Sequence, residues 1–334
     1  MGNKGLKDMH YIKITTLLFF LIFLGCSSEE NSKKSFSKSN KKIIPKFNAD
    51  SAYHFVKTQV DFGPRALSSD GWKKCAIYLE KKMSSYCDNV SIQESQITTY
   101  DNKNHTLKNI IASFSPGKKN RIALFAHWDT RPIADHDIKN QDRPILGAND
   151  GGSGVGLLLE IARQFSIKEP KIGVDIVFFD AEDYGQPEKS KFPKMEHSWC
   201  LGSQYWAKEA KKNNYFARYG ILVDMVAGEN ATFYQEEVSN YFASFLVDKV
   251  WKLAHELGFG NHFVYMQSPQ IIDDHYYVNT IAEIPTIDII EYDPTTKNNF
   301  NKHWHTHGDN MQNVNKKTMD AVGTTLLSLI YNER

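Results

Sequence analysis

Five segments of the sequence carry acidic side chains, histidine or both in positions typical of a buried site. The segments are His127-Trp128-Asp129, the loop 147–154 with Asp150, Asp180-Ala181-Glu182-Asp183, Asp224 within the run 221–226, and 303–309 with His303, His305 and His307. Carboxylates and imidazoles without cysteine suit Zn²⁺ in a catalytic site, where three protein ligands leave one position for substrate. The adjacent acids Glu182 and Asp183 could divide the work, one holding the metal and the other transferring protons.

Each segment taken alone also fits a structural role. An Asp before Gly is typical of a turn, and acids that follow a strand favour the N-terminus of a helix. A loop rich in histidine can simply be solvated. We favour a chemical role because five separate segments place acids or histidines in positions typical of a buried site. The glycines at 151–154 do not form a phosphate loop, because they lack both the GK[ST] ending and the GxGxxG spacing.

The elements that must position these side chains alternate between strands and helices. Continuous apolar runs at 122–126, 174–179, 221–226 and 284–290 predict strands that are buried on both faces. Helical periodicity is found at 50–60, 69–86, 153–166, 202–212, 239–258 and 316–331. This alternation predicts an α/β fold with a largely parallel central sheet. In such sheets chemistry lies beyond the carboxyl ends of the strands, which is where the acids and histidines follow.

The N-terminal segment predicts export. Lys4, Lys7 and Lys13 flank an apolar run at 14–24 that is short for a membrane span, so residues 1–25 are interpreted as a signal peptide that starts at Met1 or Met9. Gly25-Cys26 after this run resembles the lipobox of bacterial lipoproteins, although an ordinary signal peptide with an incidental cysteine remains the alternative. We therefore expect a lipid anchor on Cys26 in a bacterial cell envelope. Residues 26–46 are polar and predict a flexible tether, and residues 47–334 a single catalytic domain.

Composition narrows the possible partners and covalent links. The chain has 334 residues, 40 of them Lys or Arg and 39 Asp or Glu, and this balance argues against a nucleic-acid-binding protein and is compatible with a monomer. Apart from Cys26 there are three cysteines. Cys75 and Cys87 could form a disulfide, whereas Cys200 is expected to be a small buried apolar side chain and not a nucleophile.

The order and spacing of the five segments resemble those of the M28 family of zinc aminopeptidases, and within it the glutaminyl-peptide cyclotransferases. The resemblance runs from about Phe62 to Asn310 and implies a three-layer sandwich, with helices on both sides of a mostly parallel, mixed sheet. Three further segments favour the cyclotransferase branch: Phe62-Gly63-Pro64-Arg65, Asp273-Asp274-His275 and Trp304-His305-Thr306. The acidic pair is Glu182-Asp183 where many relatives have two glutamates, and Asp still offers a carboxylate oxygen to Zn²⁺.

The two branches of the family differ in their metal sites. The cyclotransferase branch implies one zinc, held here by Asp150, Asp183 and His305. The aminopeptidase branch implies two zincs and five ligands, which adds His127 and Asp224. The resemblance assigns no ligand role to His303 or His307.

The resemblance also implies a reaction and the residues that carry it. The expected substrates are peptides or proteins with an N-terminal glutamine, which is converted to pyroglutamate with loss of ammonia. Glu182 is the implied general acid and base, Asp224 orients the substrate amine, and Asp273 fixes Glu182 or the leaving nitrogen. Trp304 is the expected pocket wall, with Trp199 as a second candidate. A non-catalytic binding module on the same fold is the third possibility, and the presence of every ligand and of Glu182 argues against it.

Overall fold

The computed structural model describes residues 44–87 and 89–334. The predicted signal peptide, Cys26 and most of the predicted tether lie outside these residues. Residues 43–334 make up one compact unit, and Phe47 is already buried against helix residue Gly323. Among the described residues no helix is long and apolar enough to cross a membrane.

The centre of the fold is a six-stranded mixed sheet. The strands of the chain are β1 (Val90–Thr98), β2 (Asn104–Phe114), β3 (Arg121–His127), β4 (Gly173–Phe179), β5 (Gly220–Asp224), β6 (Phe233–Glu236), β7 (Phe263–Ser268) and β8 (Thr286–Ile290). The large sheet has the order β1-β2-β4-β3-β5-β8, and β6 and β7 form a small parallel pair. The pairings β3/β4, β3/β5 and β5/β8 are parallel, whereas β1/β2 and β2/β4 are antiparallel.

Helices cover both faces of this sheet. They are α1 (Ala49–Asp61), α2 (Asp70–Ser84), α3 (Gly152–Ile167), α4 (Leu201–Lys212), α5 (Glu237–Glu256), α6 (Asp274–Thr280) and α7 (Lys316–Asn332). Side chains alternate along β3, so that Ile122, Leu124 and Ala126 join the core under α1, α2, α3, α5 and α7. Ala123 and Phe125 point the other way, into a smaller core under α4 and α6. The predicted three-layer α/β architecture is confirmed.

The four strands and six helices predicted from the sequence are all present, with ends that differ by one or two residues. The antiparallel part of the sheet, β1 and β2, was not predicted. The reason is local: β1 is an edge strand with the sequence VSIQESQIT, and its side chains are half-buried or exposed. A continuous apolar run marks only strands that are covered on both faces.

The glycines at 151–154, at the start of α3, allow this helix to approach the sheet closely. A Cβ atom at Gly154 would lie 2.3 Å from the carbonyl oxygen of Val223 in β5, and one at Gly152 would lie 2.7 Å from the carbonyl oxygen of Gly147. Gly151, at φ 79°, turns the chain into the helix in a conformation that favours glycine. This turn places Asp150 at the carboxyl edge of the sheet.

Candidate metal and catalytic site

The acids and histidines singled out in the sequence meet at the carboxyl edge of the parallel strands. His127 ends β3 and Asp224 ends β5, while Glu182 and Asp183 follow β4 after a short turn. His305 comes from the loop beyond β8, and Asp150 from the loop before α3. A cavity of about 470 Å³ opens at this edge. Its lining includes Asp150, Glu182, Asp183, Trp199, Asp224, Asp273, Trp304 and His305.

Asp150, Asp183 and His305 form a compact set of donor atoms. The Nε2 atom of His305 lies 3.1 Å from Oδ1 of Asp183 and 3.7 Å from Oδ2 of Asp150, and all three side chains are buried. Within the described residues no hydrogen bond reaches either oxygen of Asp183 or Oδ2 of Asp150. Buried carboxylate oxygens without donors are costly unless a cation neutralises them. The set therefore fits a zinc ion held by two carboxylates and one imidazole.

A second set of donors shares Asp150 with the first. The Nε2 atom of His127 lies 3.1 Å from Oδ1 of Asp150 and 3.2 Å from Oδ1 of Asp224. These three side chains could hold a second ion, as in the five-ligand arrangement considered from the sequence. His127 is buried and is absent from the cavity lining, whereas Asp150 and Asp224 both line it.

Two buried aspartates fix the backbone of the loops that carry Asp150 and Asp183. The N–H groups of Asn149 and Asp150 donate to the two carboxylate oxygens of Asp309, at 2.7 and 3.0 Å. The N–H groups of Glu182 and Asp183 donate in the same way to Asp129, both at 3.1 Å. The loops that carry Asp150 and Asp183 are thus each held by a carboxylate that does not belong to the donor set. Charge-assisted bonds of this kind are among the stronger hydrogen bonds in proteins.

The backbone is strained around the donor set. Ala181, Cys200, Met225 and His305 have φ of 55°, 57°, 46° and 56°, in the left-handed region that side chains other than glycine seldom adopt. Each lies on, or next in sequence to, a residue or loop of the site. Conformations of this kind cost of order 1–3 kcal/mol each and persist where the surrounding structure imposes them. Here they turn the chain so that consecutive residues such as Glu182 and Asp183 face different parts of the cavity.

Glu182 is the acid beside the donor set that remains available for proton transfer. One of its oxygens lies 3.8 Å from Nδ1 of His127, and its side chain is 13% exposed. Burial raises the pKa of Glu182 well above its ordinary value, and the nearby charges of Asp273 and Asp183 raise it further, against the opposing effect of His127. Asp273 and Glu182 offer oxygens within 4.8 Å of each other. A raised pKa makes a carboxylate a stronger proton acceptor than an ordinary exposed one.

Aromatic rings close the cavity around His305. The ring centroid of Trp304 lies 3.8 Å from that of His305 at an interplanar angle of 23°, and Trp199 stacks at 5.9 Å and 10°. Phe300 packs on Trp304 at 4.8 Å. Both tryptophans named from the sequence therefore line the pocket. A flat uncharged group could be held between such rings and the acids.

The cysteine and flanking-histidine predictions had mixed outcomes. Cys75 is a free buried thiol, so the disulfide with Cys87 that the sequence left open is not formed in the structure. Cys200 is buried as expected, but its thiol also donates to Oε1 of Glu182 at 3.2 Å, a contact that the sequence did not suggest. His303 and His307 belong to no group of possible metal ligands among the described residues.

Other residues of the site had no role assigned from the sequence. Asp129 and Asp309 lay within the recognised segments, but their backbone contacts depend on how the loops fold. Arg131 and Asp135, which contact the ligand loops, lay outside the five segments. The only sequence signal for them is their nearness to the His-x-Asp segment at 127–129.

The fold and the carboxylate–histidine site together define an α/β metalloenzyme class. Residues 109–330 match the family described as Peptidase family M28, and the chain belongs to this family. It is similar to the crystal structure of Tannerella forsythia glutaminyl cyclase, with 49% identity, a TM-score of 0.85 and coverage of 87% of this chain and 100% of that one. It is also similar to a leucine aminopeptidase precursor from Bacteroides thetaiotaomicron, with 48% identity, a TM-score of 0.83 and coverage of 87% and 99%.

A curated relative extends the comparison beyond bacteria. The glutaminyl-peptide cyclotransferase of Bos taurus is 22% identical over 245 residues, which cover 66% of this chain and 64% of that protein. The chain thus spans just under two thirds of the length of this curated relative.

Replacing Asp183 by Asn tests the donor set. The amide keeps the size of the side chain but removes the charge that faces His305, so zinc affinity should fall by more than about 100-fold. Competition with a chromophoric chelator measures it. Glu182→Gln, one residue away, is the matched control and should bind zinc like the wild type. Equal zinc affinity in Asp183→Asn and the wild type would show that Asp183 is not a zinc ligand.

Proposed function

We propose that the protein is a zinc-dependent glutaminyl-peptide cyclotransferase that converts the N-terminal glutamine of peptides or proteins to pyroglutamate and releases ammonia. The observation that carries the proposal is the position of Glu182 and Asp273. Both acids face the cavity beside Asp150, Asp183 and His305, and neither is needed to complete that donor set. The similarity to a glutaminyl cyclase over the whole of that chain supports the same activity.

Asp150, Asp183 and His305 would hold one zinc ion in this proposal. When bound, the ion supplies Lewis-acid polarisation of the glutamine side-chain carbonyl. The chain's own residues do the rest. Trp304, Trp199 and Phe300 form an apolar wall that orients the side chain and limits access of water. Exclusion of water matters because attack by water on the same amide would produce glutamate in place of the ring.

Proton transfer is assigned to Glu182. The neutral α-amine of the substrate attacks its own side-chain carbonyl carbon, and Glu182 accepts the proton that this nitrogen loses as the new bond forms. The new carbon–nitrogen bond closes the ring, the bond to the side-chain nitrogen breaks, and Glu182 returns the proton to that nitrogen as ammonia leaves. Asp224 orients the amine, and Asp273 holds Glu182 or the leaving nitrogen. Burial and the charges of Asp273 and Asp183 raise the pKa of Glu182, which increases the affinity of its carboxylate for the amine proton.

Glu182→Gln tests this assignment. The amide cannot accept the proton, so kcat should fall by about 10²–10⁴-fold while zinc binding and folding persist. Release of ammonia from a glutaminyl peptide gives the rate. The matched control is Glu196→Gln, which removes an exposed carboxylate at the rim of the same cavity and should leave kcat unchanged. A near-normal rate in Glu182→Gln would refute the assignment.

A dizinc aminopeptidase is the second candidate function. It is favoured by the set of His127, Asp150 and Asp224, which could hold another ion, and by the similarity to a leucine aminopeptidase precursor. An aminopeptidase would use an activated water and would release the first residue of the peptide.

Two peptides that differ only in their first residue separate the two functions. The zinc-loaded protein is incubated with the glutaminyl and the leucyl peptide, and the products are identified by mass spectrometry. We expect the glutaminyl peptide to lose one ammonia and keep its length, and the leucyl peptide to remain intact. A shortened leucyl peptide would support the aminopeptidase and contradict the cyclotransferase.

We further propose that the protein is exported and anchored in the bacterial cell envelope by a lipid on Cys26. The support is the apolar run at 14–24 followed by Gly25-Cys26 and a polar segment. Growth with a labelled fatty acid tests the anchor. The wild-type chain should carry the label and the variant Cys26→Ser should not, whereas an unlabelled wild-type chain would indicate an ordinary signal peptide.

A further inference from the structure

We propose that Arg131 and Asp135 form a positioning pair that orients the proposed ligand His305 and couples its loop to that of Asp183. The proposal rests on the zinc site of the proposed function and assigns roles to two residues outside the donor set. Neither residue lines the cavity.

The two nitrogens of His305 face different partners. Nε2 faces the carboxylates of Asp183 and Asp150, at 3.1 and 3.7 Å. Nδ1 lies 3.2 Å from Oδ1 of Asp135, at ion-pair distance although without the alignment of a hydrogen bond. A carboxylate at Nδ1 favours the tautomer with its proton there and leaves the lone pair of Nε2 directed at the metal position. Asp135 therefore selects both the tautomer and the orientation of the ring.

Arg131 holds Asp135 in this position. Its Nη2 and Nε atoms donate to the two carboxylate oxygens of Asp135, at 2.7 and 3.2 Å. The Arg131 side chain is fully buried and that of Asp135 is 19% exposed. A two-point bond between these planar groups fixes direction as well as distance, which a lysine could not reproduce.

The guanidinium of Arg131 also contacts the loop that carries Asp183. Nη1 of Arg131 donates to the backbone carbonyl of Asp183 at 2.9 Å and to that of Gly185 at 2.7 Å. One side chain thus contacts the backbone of one proposed ligand and, through Asp135, the ring of another. The separation of Asp183 from His305 depends on this bridge.

Trp199 completes the arrangement. The guanidinium of Arg131 lies 4.4 Å from the centre of a Trp199 ring, and Trp199 is nearly parallel to the ring of His305, at 10°. A Cβ atom at position 185 would lie only 1.8 Å from Trp199, so the close approach of this indole requires Gly185. The imidazole is held at its edge by Asp135 and over its face by the indoles of Trp199 and Trp304.

The chain provides a matched control in the same loop. Asp137 also contacts a histidine of the 303–309 segment, since its Oδ2 accepts from the backbone N–H of His307 at 2.9 Å and lies 2.8 Å from Nδ1 of the same residue. His307 is exposed and is not a proposed ligand. Asp135→Asn and Asp137→Asn therefore each remove one carboxylate–histidine contact between the same two loops, but only the first contact involves a ligand.

The test measures zinc affinity by competition with a chromophoric chelator, with unfolding midpoints of the metal-free proteins as the check on folding. Asp135→Asn should bind zinc about 10–100-fold more weakly than the wild type, the range typical of residues that orient metal ligands. Asp137→Asn should stay within about threefold of the wild type, since its partner binds no metal. Arg131→Lys should lose zinc affinity to a similar extent as Asp135→Asn. It also tests the positioning pair if Asp135→Asn does not fold.

Three outcomes would overturn the positioning pair. The first is a zinc affinity of Asp135→Asn equal to that of the wild type, and the second is the same result for Arg131→Lys. The third is a loss of zinc affinity in Asp137→Asn as large as that in Asp135→Asn, which would show that both acids only tether the loop. The proposed function fails separately. A wild-type protein that binds no zinc or does not cyclise a glutaminyl peptide contradicts that proposal, whereas tight wild-type binding with unaffected variants contradicts only the pair.

Discussion

The burial of two carboxylates side by side is the constraint on which this site depends. Asp150 and Asp183 lie below the surface with oxygens that no described donor reaches, and an imidazole nitrogen faces both of them. Burial, followed by the charge of Asp150, raises the pKa of Asp183 well above its ordinary value. A divalent cation between the two carboxylates replaces their mutual repulsion by attraction of both to the metal. Without one, the arrangement must be maintained by the rest of the fold.

The fold maintains it by tying the backbone of the ligand loops to other acids. Asp129 and Asp309 each accept two consecutive N–H groups, and the ends of strands β3, β4 and β8 lead into the three loops that carry Asp150, Asp183 and His305. Glycines at 152 and 154 let α3 approach closely enough to complete the edge. The carboxylates that point at the metal position are thereby freed from structural hydrogen bonds. Glu182 can then lie next to the proposed metal position without belonging to the donor set.

The sequence predicted the site better than it predicted the contacts within it. Strands covered on both faces are continuous apolar runs, so their ends, and the acids that follow, could be located from the residues alone. The edge strand β1 and its partner β2 could not, because β1 is half-buried or exposed and one face of β2 is only half-buried, so polar residues interrupt the apolar pattern. The contact between Cys200 and Glu182 was equally hidden, since it depends on a left-handed residue that turns the chain back. Arg131 and Asp135 act only where two loops meet, which local patterns do not reveal.

We propose one metal ion at Asp150, Asp183 and His305, with His127 and Asp224 outside its ligand set. Anomalous diffraction at the zinc edge from crystals of the zinc-loaded protein, with the metal content of the same sample, locates and counts the ions. We expect one zinc per chain, bound by those three side chains, with His127 in contact with Asp224. Two ions bridged by Asp150, the second bound by His127 and Asp224, would contradict this proposal.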